Sequence, residues 1–149
     1  MPPSLTILPI TAEHYTQWLS LWLGYQRFYQ ANIPDETTQI TWQRLLDPQE
    51  LMQAALAWWD GVAVGIVHFI AHRSTWTVGN YVYLQDLFVT DAVRGQGVGR
   101  VLIEHVYAQA NAQGASRVYW LTHETNQQAI ELYQQVAQRS GFIQFRHLF

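Results

Sequence analysis

The hexapeptide Arg94-Gly95-Gln96-Gly97-Val98-Gly99 joins a strand-like run, YVYLQDLFVT from Tyr81 to Thr90, to a segment whose apolar positions Val98, Leu102, Val106 and Ala110 recur every four residues. That recurrence predicts a helix from about Gly97 to Ala112. Glycines at such a junction let the backbone approach a ligand closely, and the free N–H groups of the first helical turn offer partial positive charge to phosphate oxygens. A pyrophosphate is the expected ligand, with a plain tight turn as the alternative. The loop lacks the Lys of a P-loop, and its second glycine gap is one residue rather than the two of a dinucleotide fingerprint.

Around this junction the chain reads as alternating elements. Leu5 to Pro9 is a short first strand, and Thr11 caps a helix running to about Gln30, whose stripe Trp18, Trp22, Tyr25 and Tyr29 is a face for packing on a sheet. Ala31 to Thr38, with Pro34, Asp35 and Glu36, reads as a surface loop before a short helix over Trp42 to Leu46. ALAWW from Ala54 and VAVGIVHFIAH form a hairpin that turns at Asp60-Gly61, where positive φ is tolerated. After the glycine-loop helix come a strand RVYWLTH, a helix from about Asn126 to Arg139 and a last strand FIQFRHLF. This order predicts a mixed sheet with helices on its faces, of α/β or α+β class.

Composition narrows the function classes. A chain of 149 residues has room for one domain, taken as residues 5–149, that buries about two thirds of its extended surface. Without Cys there is no disulfide, no thiolate zinc site and no cysteine nucleophile. A net charge of -3, with all eight basic residues Arg, argues against a surface built for nucleic acid. No run suits a membrane span, and MPPSLTILPI lacks the marks of a signal peptide, so the expected compartment is the cytoplasm. His68 and His72 fall on one strand face about 13 Å apart, too far to share a metal ion without further ligands, and no metal site is expected. No G-x-S-x-G elbow is present.

R-G-Q-G-V-G resembles the Q/R-x-x-G-x-G/A motif of the GNAT superfamily of acetyl-CoA-dependent N-acetyltransferases. Asn126, Ala129, Leu132 and Tyr133 match that family's N-x-x-A-x-x-L-Y pattern, and Gly141-Phe142 matches the G-F that closes it. The G-F follows Tyr133 by eight residues where many members have four, about one helical turn more. With RVYWLTHETN and YLQDLFV, the longer form resembles the HPA-type and diamine or polyamine acetyltransferase subgroup. The resemblance implies a GNAT-like, mostly antiparallel mixed sheet of six or seven strands with helices on both faces.

It also implies direct acetyl transfer from acetyl-CoA to a primary amine of a polyamine, an amino acid or a protein lysine. The implied cosubstrate contacts are main-chain groups of Leu87, Phe88 and Val89, the loop Arg94, Gly95, Gln96, Gly97, Val98, Gly99 and Arg100, and Asn126. Thr125 and Gln128 also read as a capping box, which makes Asn126 a first-turn residue. Tyr133 is the implied proton donor to the departing thiolate, since a phenol of pKa near 10 can protonate a thiolate of pKa near 8.5. The general base is open. The subgroup's Glu-Asp stands here as Gln85-Asp86, which leaves Asp86, Glu124 or a water held by Gln85 as candidates, with His123 behind them. Neighbouring strand residues face opposite sides, so Asp86 does not inherit the place of Gln85. A non-catalytic acetyl-CoA sensor is the alternative. The subgroup's C-terminal strands sometimes pair across a homodimer, which FIQFRHLF permits.

Overall fold

The computed structural model describes residues 4–149. Its strands are β1 (Leu5–Pro9), β2 (Met52–Trp59), β3 (Val62–His72), β4 (Tyr81–Val89) and β5 (Arg117–Tyr119), hydrogen-bonded side by side in that order. The helices are α1 (Tyr15–Phe28), α2 (Asp35–Leu46), α3 (Val98–Ala112) and α4 (Gln127–Val136). The first three pairings are antiparallel, whereas β4 and β5 run parallel because α3 carries the chain back between them.

Strand alternation divides the core into two layers. On one face Ala55, Ala57, Val67, Phe69 and Leu84 meet Val98, Leu102, Ile103, Val106 and Ala110 of α3, so the four-residue recurrence is the buried stripe of that helix. Leu102, Ile103 and Val106 are each 0% exposed, and burying each contributes about 1.5–3 kcal/mol. On the other face Ala54, Leu56 and Ile66 meet Trp18, Leu21 and Trp22 of α1 with Trp42 and Leu45 of α2. Gly24 lets α1 close on β4: a Cβ there would stand 2.8 Å from Cε2 of Phe88.

Several elements differ from expectation. The sheet has five strands among the described residues, not six or seven. RVYWLTH keeps strand geometry only over Arg117–Tyr119, and residues 138–149 carry no regular structure. Phe142, Ile143, Phe145, Leu148 and Phe149 of FIQFRHLF are at least 75% exposed. A strand needs an edge to pair with, and β5 offers three residues. Helix α2 begins at Asp35, within the expected loop, because Pro34 caps it in an extended conformation and Asp35 and Glu36 put negative charge on its N-terminal dipole. Thr38, Trp42 and Leu45 then form its buried stripe. The helix expected from Thr11 opens with a 3₁₀ turn, Ala12–His14, before α1.

Candidate active site

The pairing of β4 with β5 covers only Tyr81 to Tyr83 against Arg117 to Tyr119. Beyond Tyr83, β4 keeps β3 on one side and has no strand on the other, so a gap opens beside Leu87, Phe88 and Val89. The glycine loop stands at the far end of this gap. Gly95 and Gly97 have φ of +78° and +84°, and a Cβ built on either meets nothing within 4 Å. The left-handed backbone demands glycine there, while the space above stays open for a ligand. Gly97 caps α3, no acidic residue sits in the first turn and no side chain caps it, so the first N–H groups of α3 face that space unpartnered.

The other loop residues divide by where their side chains go. Val98 is buried in the core, so it offers the loop only its N–H. Arg94 is tied down: Nε donates to the Val89 carbonyl at 3.1 Å, Nη1 pairs with Asp91 at 2.9 Å, and its guanidinium lies 4.8 Å from the Phe28 ring. Arg94 thus fastens the loop to β4 and to the end of α1. Arg100 pairs with Glu104 at 3.0 Å along the exposed side of α3, and Gln96 is exposed. Leu87 and Val89 pack toward α3, Phe88 toward α1.

A β-bulge decides what Gln85 and Asp86 can do. His68 pairs with Asp86 but Phe69 pairs with Leu84, which leaves Gln85 as the extra residue on β4. Leu84 therefore faces α3, Gln85 is exposed, and Asp86 turns to the α1 face with only 8% of its surface exposed. There its Oδ2 lies 3.0 Å from Nδ1 of His68, while the Trp18 indole N–H donates to Nε2 of His68 at 3.0 Å. An indole can only donate, so Nε2 accepts, the imidazole proton sits on Nδ1, and that N–H donates to the carboxylate. Burial, and after it the Asp86 charge, pushes the Tyr25, Tyr29 and Tyr83 phenols above their usual range. The imidazole thus binds a buried carboxylate whose charge is felt by three phenols.

Tyr133 of α4 is half-buried and packs edge-on against Trp120 at 5.3 Å. Burial first, then the neighbouring Tyr29, pushes its phenol up to about 12. Glu124 and His123 lie exposed in the turn before α4. Asn126, not Thr125, caps α4: its Oδ1 accepts from the Ala129 N–H at 3.4 Å, which replaces the expected capping box. Among the described residues no three His, Asp or Glu side chains converge as metal ligands. His72 is engaged separately by the Arg73 carbonyl and the Tyr119 hydroxyl, each at 2.7 Å.

Tyr25, Tyr29, Tyr83 and His68 join this cluster without having been singled out as site residues in the sequence. The available signal was the change within the α1 stripe: its first half, Trp18 and Trp22, is buried core, whereas Tyr25 and Tyr29 carry hydroxyls that a purely packing face does not need.

Comparison with known proteins identifies the family. The family model described as Acetyltransferase (GNAT) family matches residues 17–137. The D-amino-acid N-acetyltransferase HPA3 of Saccharomyces cerevisiae is 38% identical over 144 residues, covering 95% of this chain and 89% of that protein. The thialysine N-epsilon-acetyltransferase of Mus musculus is 36% identical over 90 residues, 57% of this chain and 51% of its own. Among solved structures, an aminoglycoside N-acetyltransferase AAC(6')-Iy in complex with CoA superposes with a TM-score of 0.85 at 18% identity, covering 99% of this chain and 97% of that one. The chain therefore belongs to the GNAT family of acetyltransferases and is an acyltransferase that moves an acetyl group to an amine.

Proposed function

We propose that this chain, as one domain over residues 5–149, acetylates the primary amine of a small molecule or peptide with acetyl-CoA in the gap between β4 and β5. The residues present suit that cosubstrate. The left-handed Gly95 and Gly97 and the unpartnered N–H groups of α3 would hold its pyrophosphate, with Gln96, Gly99, Arg100 and Asn126 at the rim. Main-chain groups of Leu87, Phe88 and Val89 on the open side of β4 would hold the pantetheine arm. When bound, acetyl-CoA supplies an acetyl group activated as a thioester.

The chain's own residues supply the proton chemistry. Asp86 orients the acceptor and takes the amine proton on its carboxylate, which the hydrogen bond from His68 keeps aimed. Its burial strengthens that interaction with a cation. Tyr133 holds a hydroxyl proton across the physiological range, ready for the leaving thiolate. Gln85, exposed on the bulge, and Glu124, exposed before α4, have neither this burial nor these partners. Relatives named for D-amino acids and for thialysine support a small amino-bearing acceptor. The exposed apolar tail from Phe142 to Phe149 supports a homodimer in which it gains a pairing partner.

The observation that carries this reading is the bulge that turns Asp86 onto the α1 face, where its carboxylate accepts from His68. A panel of amines with acetyl-CoA, read by release of free thiol, tests it. Amine-dependent thiol release supports the reading; tight acetyl-CoA binding with no release for any amine contradicts it.

A further inference from the structure

The β3–β4 connection, Arg73 to Asn80, stands at the end of the sheet away from the glycine loop. There His72 pairs with Tyr81 and Tyr81 with Arg117, so the ends of three strands lie side by side. Beside them lies an open cleft of about 460 Å³ with Arg73, Trp76, Tyr81, Arg117 and Phe142 in its walls. Arg73 and Arg117 line this space and no acidic residue does. Neither arginine takes part in an ion pair among the described residues. The Arg117 guanidinium lies 4.1 Å from the Tyr81 ring centroid and 5.9 Å from that of Trp76. A ring stacked on the guanidinium face leaves its N–H edges for an acceptor. His72 donates from Nδ1 to the Arg73 carbonyl at 2.7 Å, which fixes the backbone that carries the second guanidinium.

A row of rings on the same sheet face leads from this cleft toward Asp86. Tyr83, beside Asp86, stacks on Tyr119 at 5.0 Å and 17°. The Tyr119 hydroxyl reaches Nε2 of His72 at 2.7 Å, and the His72 ring stands 5.7 Å from Tyr81. One sheet face thus carries a carboxylate, a floor of aromatic rings and a pair of guanidinium groups, in that order. From the His68 and Asp86 pair to the His72 and Tyr81 pair is four residues of β3, about 13 Å.

We propose that the Arg73 and Arg117 cavity is a carboxylate subsite of the acceptor groove, which makes the preferred acceptor an ω-amino carboxylate: an ammonium at Asp86, an extended methylene chain over Tyr83 and Tyr119, and a carboxylate at the two arginines. This deepens the acetyltransferase reading above and rests on it. The lengths agree. An extended 6-aminohexanoate spans about 8 Å from nitrogen to carboxylate, and a hydrogen bond of about 2.9 Å at each end brings it to the scale of that rise along β3. A diamine of equal length puts its second ammonium against two guanidinium groups, so the same feature that attracts the carboxylate excludes the dication.

The experiment compares 6-aminohexanoate, 1,6-diaminohexane and hexylamine as acceptors for the full chain, with Arg73→Gln, Arg117→Gln and the double variant alongside. The proposal expects kcat/KM for 6-aminohexanoate to exceed that of the diamine by tenfold or more. Each substitution should raise KM for 6-aminohexanoate about tenfold and leave kcat, the KM of acetyl-CoA and the hexylamine kinetics unchanged. Hexylamine thereby also controls for folding. Acetylation of hexylamine with no preference for the carboxylate, or variants indistinguishable from the parent on 6-aminohexanoate, would overturn the subsite while leaving the acetyltransferase reading in place. If no acceptor is acetylated, that reading fails, and calorimetry of 6-aminohexanoate on the CoA-loaded protein then decides the subsite. Binding lost in the double variant supports it, and binding equal in parent and double variant overturns it.

Discussion

Nδ1 of His68 donates to Oδ2 of Asp86 across 3.0 Å, in a direction fixed from behind by the Trp18 indole. The indole N–H occupies Nε2, so a core tryptophan dictates the tautomer of a histidine and, through it, the orientation of a carboxylate. The arrangement links the α1 layer of the core to the site without exposing either ring nitrogen of the histidine.

Replacement of Asp86 with asparagine should therefore preserve the fold. The amide oxygen can still accept from His68, whereas alanine leaves the buried Nδ1–H without a partner, at a cost of about 1–3 kcal/mol. Thermal unfolding should show Asp86→Asn near the parent and Asp86→Ala several degrees lower. Equal melting of the two variants would mean that the pair does not hold His68.

The two glycines of the loop should respond differently. Gly97 has φ +84° with open space above it, so Gly97→Asp combines backbone strain with a carboxylate in the space proposed for the pyrophosphate. At Gly99 a Cβ would make ordinary contacts, 3.7 Å to Leu132 and 4.0 Å to Val89. Calorimetry with acetyl-CoA should give Gly99→Ala a Kd within a few-fold of the parent and Gly97→Asp a loss of at least tenfold.

Tyr133 carries a pH signature. With its phenol pushed up to about 12 against a reference of 10, the folded chain keeps a proton between those values that the unfolded chain releases. The unfolded state then binds fewer protons, so this contribution to stability is complete below pH 10 and declines as pH rises toward 12. Urea unfolding from pH 9 to 11 should show a shallower decline for Tyr133→Phe than for the parent. The same variant should lower the single-turnover rate roughly 10²-fold while acetyl-CoA binding persists.

The glycine junction, the α3 stripe and the hairpin at Asp60-Gly61 were legible because each is local: a left-handed turn, a four-residue recurrence and a pair of positive φ angles, +49° and +83°, are written in adjacent residues. The start of α2 was misread, because Pro34-Asp35-Glu36 spells a loop as well as a helix start, and only the burial of Thr38 and of Trp42, the latter against β2, separates the two. The tail FIQFRHLF has strand composition, but pairing depends on a neighbouring edge that β5 supplies for three residues only. The site divides along the same line. Its phosphate loop is contiguous, whereas the surroundings of Asp86 come from α1, β3 and β4 and depend on a bulge at Gln85 that no local pattern announces.

Single-turnover transfer from labelled acetyl-CoA to a primary amine, measured for the parent and Asp86→Asn at equal occupancy of acetyl-CoA, tests the central claim that the buried carboxylate serves the gap between β4 and β5. The account predicts formation of labelled amide by the parent and a rate at least 10²-fold lower in the variant, with acetyl-CoA affinity unchanged. A variant that transfers acetyl at the parental rate would contradict it.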